Sequence, residues 1–205
     1  INTEQKLVEY QKLKSNARMG DLIYVDRNGD GKISDDDRVY GGSGMPECEV
    51  GLNMGASYNG FDFSMNWYAS IGNEIINGSK IYAYQSHTHK DLIYQWSYVN
   101  PTSMIPTYKG SSHDNYRAYA DRWVEDGSFV RLKNIILGYS LPKKAIMRIG
   151  LNKCRFYLAA DNLLTLTKYT GYDPEVGSNG LSKRGLDLGT YPISVQMRGG
   201  FQLEF

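Results

Sequence analysis

The sequence predicts an all-β chain, and three observations carry that expectation. Tyr and Gly are abundant, at 17 and 22 of 205 residues, against six Phe and six Pro. Tyr suits half-buried sheets and Gly suits turns and bulges. Two strictly alternating segments meet at Asn59-Gly60, the strongest short hairpin signal. A further alternating run closes the sequence, Val195-x-Met197-x-Gly199-x-Phe201-x-Leu203-x-Phe205, as a strand with two unlike faces requires.

Composition removes several classes. Apolar residues make up 41% and charged residues 22%, which excludes wholesale disorder. The 23 basic and 22 acidic side chains leave a net charge of +1, so there is no basic field for nucleic acid. No apolar run approaches the ~18 residues of a membrane helix, and mean hydropathy is −0.48. Low hydropathy does not exclude a transmembrane barrel, whose strands alternate lipid-facing and lumen-facing residues. Ile1-Asn2-Thr3-Glu4 has neither the charged nor the apolar region of a signal peptide. The chain is therefore expected to be cytoplasmic, or a mature or internal piece of something longer. Cys48 and Cys154 fit neither a metal motif nor a disulfide framework.

Residues 3–14 read as a short amphipathic helix, with Asn2 and Gln5 as a capping box and Leu7, Tyr10 and Leu13 on one face. The β-branched run Leu22–Val25 leads into an acidic, Gly-containing loop. Val50, Leu52, Met54, Ala56 and Tyr58 alternate with polar or small residues, as do Phe61, Phe63, Met65, Trp67 and Ala69 after the turn. A soluble sheet with one wet face would show the same alternation. Residues 71–121 are polar, aromatic and irregular, a length of loop unusual in a compact soluble domain and ordinary outside a barrel. Strand character returns at Phe129–Leu141, one or two helical turns fit between Pro142 and Gly150, and a strand runs from Lys153 to about Leu164. A glycine-containing loop over 165–192 precedes the last strand.

Roughly six antiparallel strands result, with connections that alternate short and long. The short ones are 59–60 and 142–152; the long ones are 71–121 and 165–192. Short periplasmic turns and long extracellular loops are the barrel asymmetry. Residues 1–46 then form an extracellular loop with a short helix, and 47–205 form barrel strands and loops. Val50, Leu52, Met54, Phe61, Phe63, Met65, Phe201 and Leu203 are expected on one lipid-facing surface.

Four stretches resemble a known family in the same order. They are Gly20-Asp21-Leu22-Ile23-Tyr24-x-Asp26-x-Asn28-Gly29-Asp30-Gly31-x-Ile33, Trp123–Asn134 with Leu137-Gly-Tyr139-x-Leu141-Pro142, Asn162–Glu175 with Tyr172-Asp-Pro-Glu175, and the aromatic terminus. Together they resemble the C-terminal part of the SusC/RagA family of TonB-linked outer-membrane transporters of Bacteroidetes-type bacteria. The resemblance implies a large, about 22-stranded transmembrane barrel with an N-terminal plug and a SusD-like lipoprotein lid. It also implies import of oligosaccharides or glycans, sometimes peptides, across the bacterial outer membrane. Six strands cannot close such a barrel, and open edges do not survive in lipid. The remaining barrel, the plug and the TonB contact are thus expected on another part of a longer or split protein.

The sharpest local motif is Asp26-Arg-Asn28-Gly-Asp30-Gly31-Lys32-Ile-Ser-Asp-Asp-Asp37. It matches the EF-hand loop in ligand, glycine and apolar positions. Asp26, Asn28, Asp30 and Asp37 would offer side-chain oxygens to Ca²⁺, and Lys32 its carbonyl. The alternative is an empty Asx-rich turn. His87, His89 and His113 lack the companions of a zinc site and read as solvated loop residues. No nucleophile elbow or phosphate loop occurs, so no catalytic residue is nominated. Trp96, Tyr98 and Tyr108 suit sugar stacking or plain loop packing. The leading expectation is a transporter segment. The alternative is a soluble, Ca²⁺-stabilised β-sandwich that binds glycans.

Overall fold

The computed structural model describes residues 1–118, 120–147, 150–176 and 184–205. In chain order the elements are α1 (Glu4–Tyr10), β1 (Cys48–Tyr58), β2 (Phe61–Ile71), β3 (Glu74–Asn77), α2 (Gly78–Gln85), β4 (Val124–Asp126), β5 (Phe129–Ser140), α3 (Lys143–Ile146), β6 (Lys153–Thr167), β7 (Leu186–Asp187) and β8 (Gln196–Glu204). They fall into two units. One comprises Ile1–Gly42 and Asn77–Val124, the other Ser43–Ile76 and Glu125–Phe205.

The second unit is built on an antiparallel five-stranded sheet in the order β1-β2-β5-β6-β8. The roughly six strands expected are thus five. The β-branched Leu22–Val25 run is not one of them, because its amides turn to side chains: Leu22 N–H donates to Asn115 Oδ1 at 3.0 Å and Tyr24 N–H to the Tyr10 hydroxyl at 3.0 Å. The β1–β2 turn is as expected. Asn59 and Gly60 both have positive φ, 48° and 86°, the backbone of a two-residue hairpin turn. β6 is longer than its alternation suggests, reaching Thr167. One irregularity crosses the sheet. Lys133 in β5 has no partner in β2, and the register between β5 and β6 shifts beside Asn162, whose φ is 53°. Such a bulge reverses the in–out alternation beyond it, so Leu132 and Val130 stay on the face of Ile135 despite their spacing.

Register sorts the sheet into two surfaces. All eight residues expected on one side do lie together, through the pairs Val50↔Ala69, Leu52↔Trp67, Met54↔Met65 and Tyr58↔Phe61 and the rows they begin. One row runs Tyr58, Phe61, Tyr139, Phe156, Phe201 across all five strands. This face is open to solvent: Leu158 is 67% exposed, Phe201 66% and Met197 75%. Its buried members are Leu132 and Cys154, the latter packed with Ile146 of α3 and Leu151 and against Leu141. A three-stranded sheet, β4-β3-β7, completes the second unit.

The first unit departs most from expectation. Residues 71–121 are not a structureless loop. They contribute β3, α2 and short 3-10 turns at Lys90–Tyr94, Asp114–Tyr116 and Asp121–Trp123. Tyr10, Ile81, Tyr84, Leu92, Trp96, Tyr116 and Trp123 form the buried interior. Side chains satisfy much of the backbone, with Gln85 donating to the Tyr116 carbonyl and Tyr108 to the Gln85 carbonyl. The first helix is capped by Thr3, whose hydroxyl accepts from Lys6 N–H at 3.3 Å, rather than by the expected Asn2/Gln5 box.

Candidate functional site

The surface opposite the apolar face carries the sheet's polar chemistry. Asn53, Asn66, Asn134 and Asp161 form one row across four strands, and Asn134 donates to Asp161 at 2.6 Å. Arg155 of β6 reaches Asp62 of β2 across β5 at 2.8 Å. The strand between them presents Gly138 there, and a Cβ at that position would overlap both side chains. Arg198 pairs with Asp161.

The densest part lies where the 168–175 segment meets β5 and β6. Arg131 is 3% exposed, and its guanidinium is filled. Nε donates to Thr165 Oγ1 at 2.8 Å, Nη1 to Glu175 at 2.7 Å and Nη2 to Asp173 at 2.7 Å. Asp173 also accepts from the Glu175 and Ile193 amides, and Lys133 donates to Glu175. Burial works to raise the Asp173 pKa, but the amides of Glu175 and Ile193 and the Arg131 guanidinium outweigh it and hold the carboxyl below its ordinary value. Nearby, the Tyr169 hydroxyl donates to buried Asp187 at 2.5 Å, and burial followed by that carboxylate pushes the phenol well up. A buried Arg131–Asp173 pair needs further hydrogen bonds to offset its desolvation, and Thr165, Glu175 and the two amides on Asp173 supply them. The Asp173 and Glu175 pairing with Arg131 is absent from any local motif. The two segments lie about forty residues apart, and spacing alone does not join them.

The 26–37 loop brings the sequence-nominated residues together in one turn. Asp26 accepts from the Gly29 and Gly31 amides at 2.7 and 2.9 Å, Asn28 from Asp30, and Asp30 from Lys32. Asp37 accepts from Arg27, Asn28 and Ser34 and closes a capping box on the 3-10 turn Asp35–Asp37. Those amides, Ser34 and Arg27 foremost, hold the Asp37 carboxyl below its ordinary value. Every nominated side chain thus faces into the loop. Among the described residues, though, no group of three or more acidic, His or Cys side chains converges on one point. The loop fits a cation in residue order, and its oxygens now serve its own amides.

The remaining candidates resolve into packing. His89 and His113 accept from the amides of Asp91 and Asn115, and His87 stacks on Tyr108 with ring centres 4.2 Å apart. Trp96 is buried with Tyr98 edge-on at 5.2 Å, and Tyr108 lies 5.5 Å from Tyr116.

No family profile matches the chain. Individual proteins do. TonB-dependent receptor P3 of Formosa agariphila is 32% identical over 94% of this chain and 20% of its own length. TonB-dependent receptor SusC of Bacteroides thetaiotaomicron is 28% identical over 97% of this chain and 19% of its own. The RagAB peptide transporter superposes with a TM-score of 0.72 at 29% identity, over 88% of this chain and 20% of that one. Its closed-closed state gives 0.73. The chain thus spans about one-fifth of the length of the relatives it matches, and these are receptors and transporters rather than enzymes. It is a segment with the sequence and the sheet of a SusC/RagA-type TonB-dependent receptor.

Proposed function

We propose that this chain supplies neighbouring strands of an outer-membrane barrel that imports a nutrient, an oligosaccharide or a peptide, with TonB and a SusD-like surface lipoprotein. The observation that carries this reading is the five-stranded sheet with one unbroken apolar face and one charged face. From Val130 to Tyr139 the apolar face of β5 covers about 30 Å of strand, or roughly 23 Å at barrel tilt, close to the ~25 Å lipid band of such proteins. The row from Tyr58 to Phe201 then marks one aromatic girdle. The charged face lines the lumen, where Arg131, Lys133 and Glu175 hold the 168–175 segment against the wall. β1 and β8 have strands on one side only among the described residues. In lipid their open edges require further strands, which the rest of the barrel and its plug-bearing part provide. A glycan-binding sandwich would need a second sheet over Leu158, Met197 and Phe201, and these side chains are exposed.

The test places single cysteines at Leu158 and Asn134 in the intact transporter in outer membranes. The Leu158 variant should react only with a membrane-partitioning maleimide, and the Asn134 variant with a small water-soluble one. The reverse pattern, or extraction without detergent, would reject the barrel reading. Growth of a gene-deletion strain on oligosaccharides or on peptides as sole source separates the two substrate classes.

Within the same reading, the 26–37 loop takes Ca²⁺ in a structural role. Asp26, Asn28, Asp30 and Asp37 would turn side-chain oxygens from the loop amides to the ion, and Lys32 would add its carbonyl. Calorimetric titration of the intact protein with Ca²⁺, against Asp30→Ala, tests it. Equal heats from both proteins would remove the claim.

A further inference from the structure

The short connection between β5 and β6 is strongly basic. Residues 141–154 hold Lys143, Lys144, Arg148 and Lys153 and no acidic residue, against a net charge of +1 for the whole chain. Part of this connection folds over the end of the apolar face. Ile146 of α3 is buried with Leu151 and Cys154 and packs against Leu141. Cys154 shares its face with Phe156 and Leu158, two and four residues on. Seating Ile146 there leaves Lys143 and Lys144 exposed at that end of the sheet. Lys153 pairs with Glu204 on the opposite face, where Arg155 also holds Asp62. The α3 lysines therefore meet no carboxylate of the adjoining strands on the apolar side.

One row along the strands from α3, about 7 Å away, the apolar face opens into a cavity of about 490 Å³. Phe61, Tyr139, Phe156 and Phe201 wall it, and Leu158 and Gly199 form its floor. The Phe61 and Tyr139 rings lean together with centres 4.5 Å apart. Gly199 opens the gap. The same face of β8 carries Val195, Met197, Phe201 and Leu203 on either side of it, and a Cβ at 199 would already lie 3.3 Å from Leu158 Cδ2.

Cations at one end and an apolar cavity one row along describe the recognition of an amphiphile. A Lys ammonium is a compact charge suited to phosphate, and aromatic and leucine side chains suit a methylene chain. The α3 turn has the form of an interfacial element, with its apolar side chain inward and its charges outward. We propose that α3 and this cavity bind a single anionic glycerophospholipid, with its phosphate at Lys143 and Lys144 and one acyl chain passing over Phe156 into the gap at Gly199. This inference rests on the lipid-facing reading of the sheet and adds a selected head group to it. Plain solvation of the face by lipid would treat head groups alike, whereas the α3 charges discriminate between them.

The experiment is native mass spectrometry of the intact, delipidated transporter in detergent, titrated with phosphatidylglycerol or phosphatidylethanolamine of the same acyl chains. Phosphatidylglycerol should be retained as one lipid per transporter and roughly tenfold more tightly, as two lysines beside an anionic head group imply. The double variant Lys143→Gln/Lys144→Gln, changed only at exposed positions, should bring the two lipids to equal retention. Gly199→Leu should weaken both. Because Gly199→Leu could disturb β8, a second measurement uses the wild type. Phosphatidylglycerol with a diazirine in its acyl chain should crosslink within Leu137–Tyr139, Phe156–Leu158 or Gly199–Phe201. Equal retention of the two lipids by the wild type, a preference unchanged in the lysine variant, crosslinks elsewhere on the face, or tighter retention of lipid A would each overturn the proposal. None of these outcomes alters the cysteine labelling at Leu158 and Asn134, so failure here leaves the barrel reading standing, while failure there removes both.

Discussion

The sheet of the second unit and the interior of the first solve the same problem, ordered backbone with buried charge, by opposite means. In the sheet, strands satisfy each other's amides, and polar side chains are left free to pair along one face. Arg131 there has three acceptors. In the first unit, backbone amides donate to side-chain oxygens such as those of Asn115 and Gln95, which leaves fewer acceptors for cations. Arg122 is the result, packed on rings with no ion pair among the described residues. Regular secondary structure therefore frees side chains for electrostatics, and irregular structure consumes them.

The sharpest way to break this contrast is to neutralise both arginines. Arg131→Met should cost ~3–5 kcal/mol, because Asp173 would be left buried without its cation. Arg122→Met should stay within ~1 kcal/mol, since it removes a charge that has no partner to strand. The heat-modifiable gel shift of the assembled protein measures both, and equal losses would refute the contrast.

The next effect compares what holds each unit. Trp123→Ala should cost ~3–5 kcal/mol by opening a cavity in the first unit. On the sheet, Met54→Arg should cost ~2–4 kcal/mol at mid-depth of the proposed lipid face, and Asn66→Arg on the charged face less than ~1 kcal/mol. Assembly yield in outer membranes checks the pair, and a reversed order for Met54 and Asn66 would invert the assignment of faces.

Acid should act on both units through carboxyls held below their ordinary range. Burial raises Asp21, but hydrogen bonds from Lys109, the Arg18 amide and Asn115 outweigh it; Asp173 is lowered in the same way by its own amides and Arg131. Each contributes stability in full above the unfolded carboxyl value of about 3.9. Each loses it as pH falls through the lower folded value. Melting temperature should therefore be flat from neutral pH to about 5 and drop below 4. Asp173→Asn should flatten that acid limb, as should Asp21→Asn. The smallest effect is local: Asp30→Ala should speed amide exchange over residues 21–40 without changing assembly yield.

The alternation around Asn59-Gly60, together with the run from Val195, was enough to assign eight residues to one shared face, because a strand's period of two ties each side chain to one surface. The order of charges in the 26–37 loop was equally plain, since its ligands are neighbours in sequence. By contrast, the irregular 71–121 stretch concealed a packed interior, because Thr107, Asp114 and Asn115 meet Gly20, Tyr24 and Leu22 from far along the chain. The sequence by itself determined which residues share a surface and where the hairpin turns. Tertiary structure alone decided that Arg131 finds Asp173 and Glu175, that Lys133 bulges out of register, and that Arg122 packs on rings with no ion pair among the described residues. Period and turn chemistry are local properties of the backbone, whereas a counter-charge is a matter of which distant segments fold to the same place.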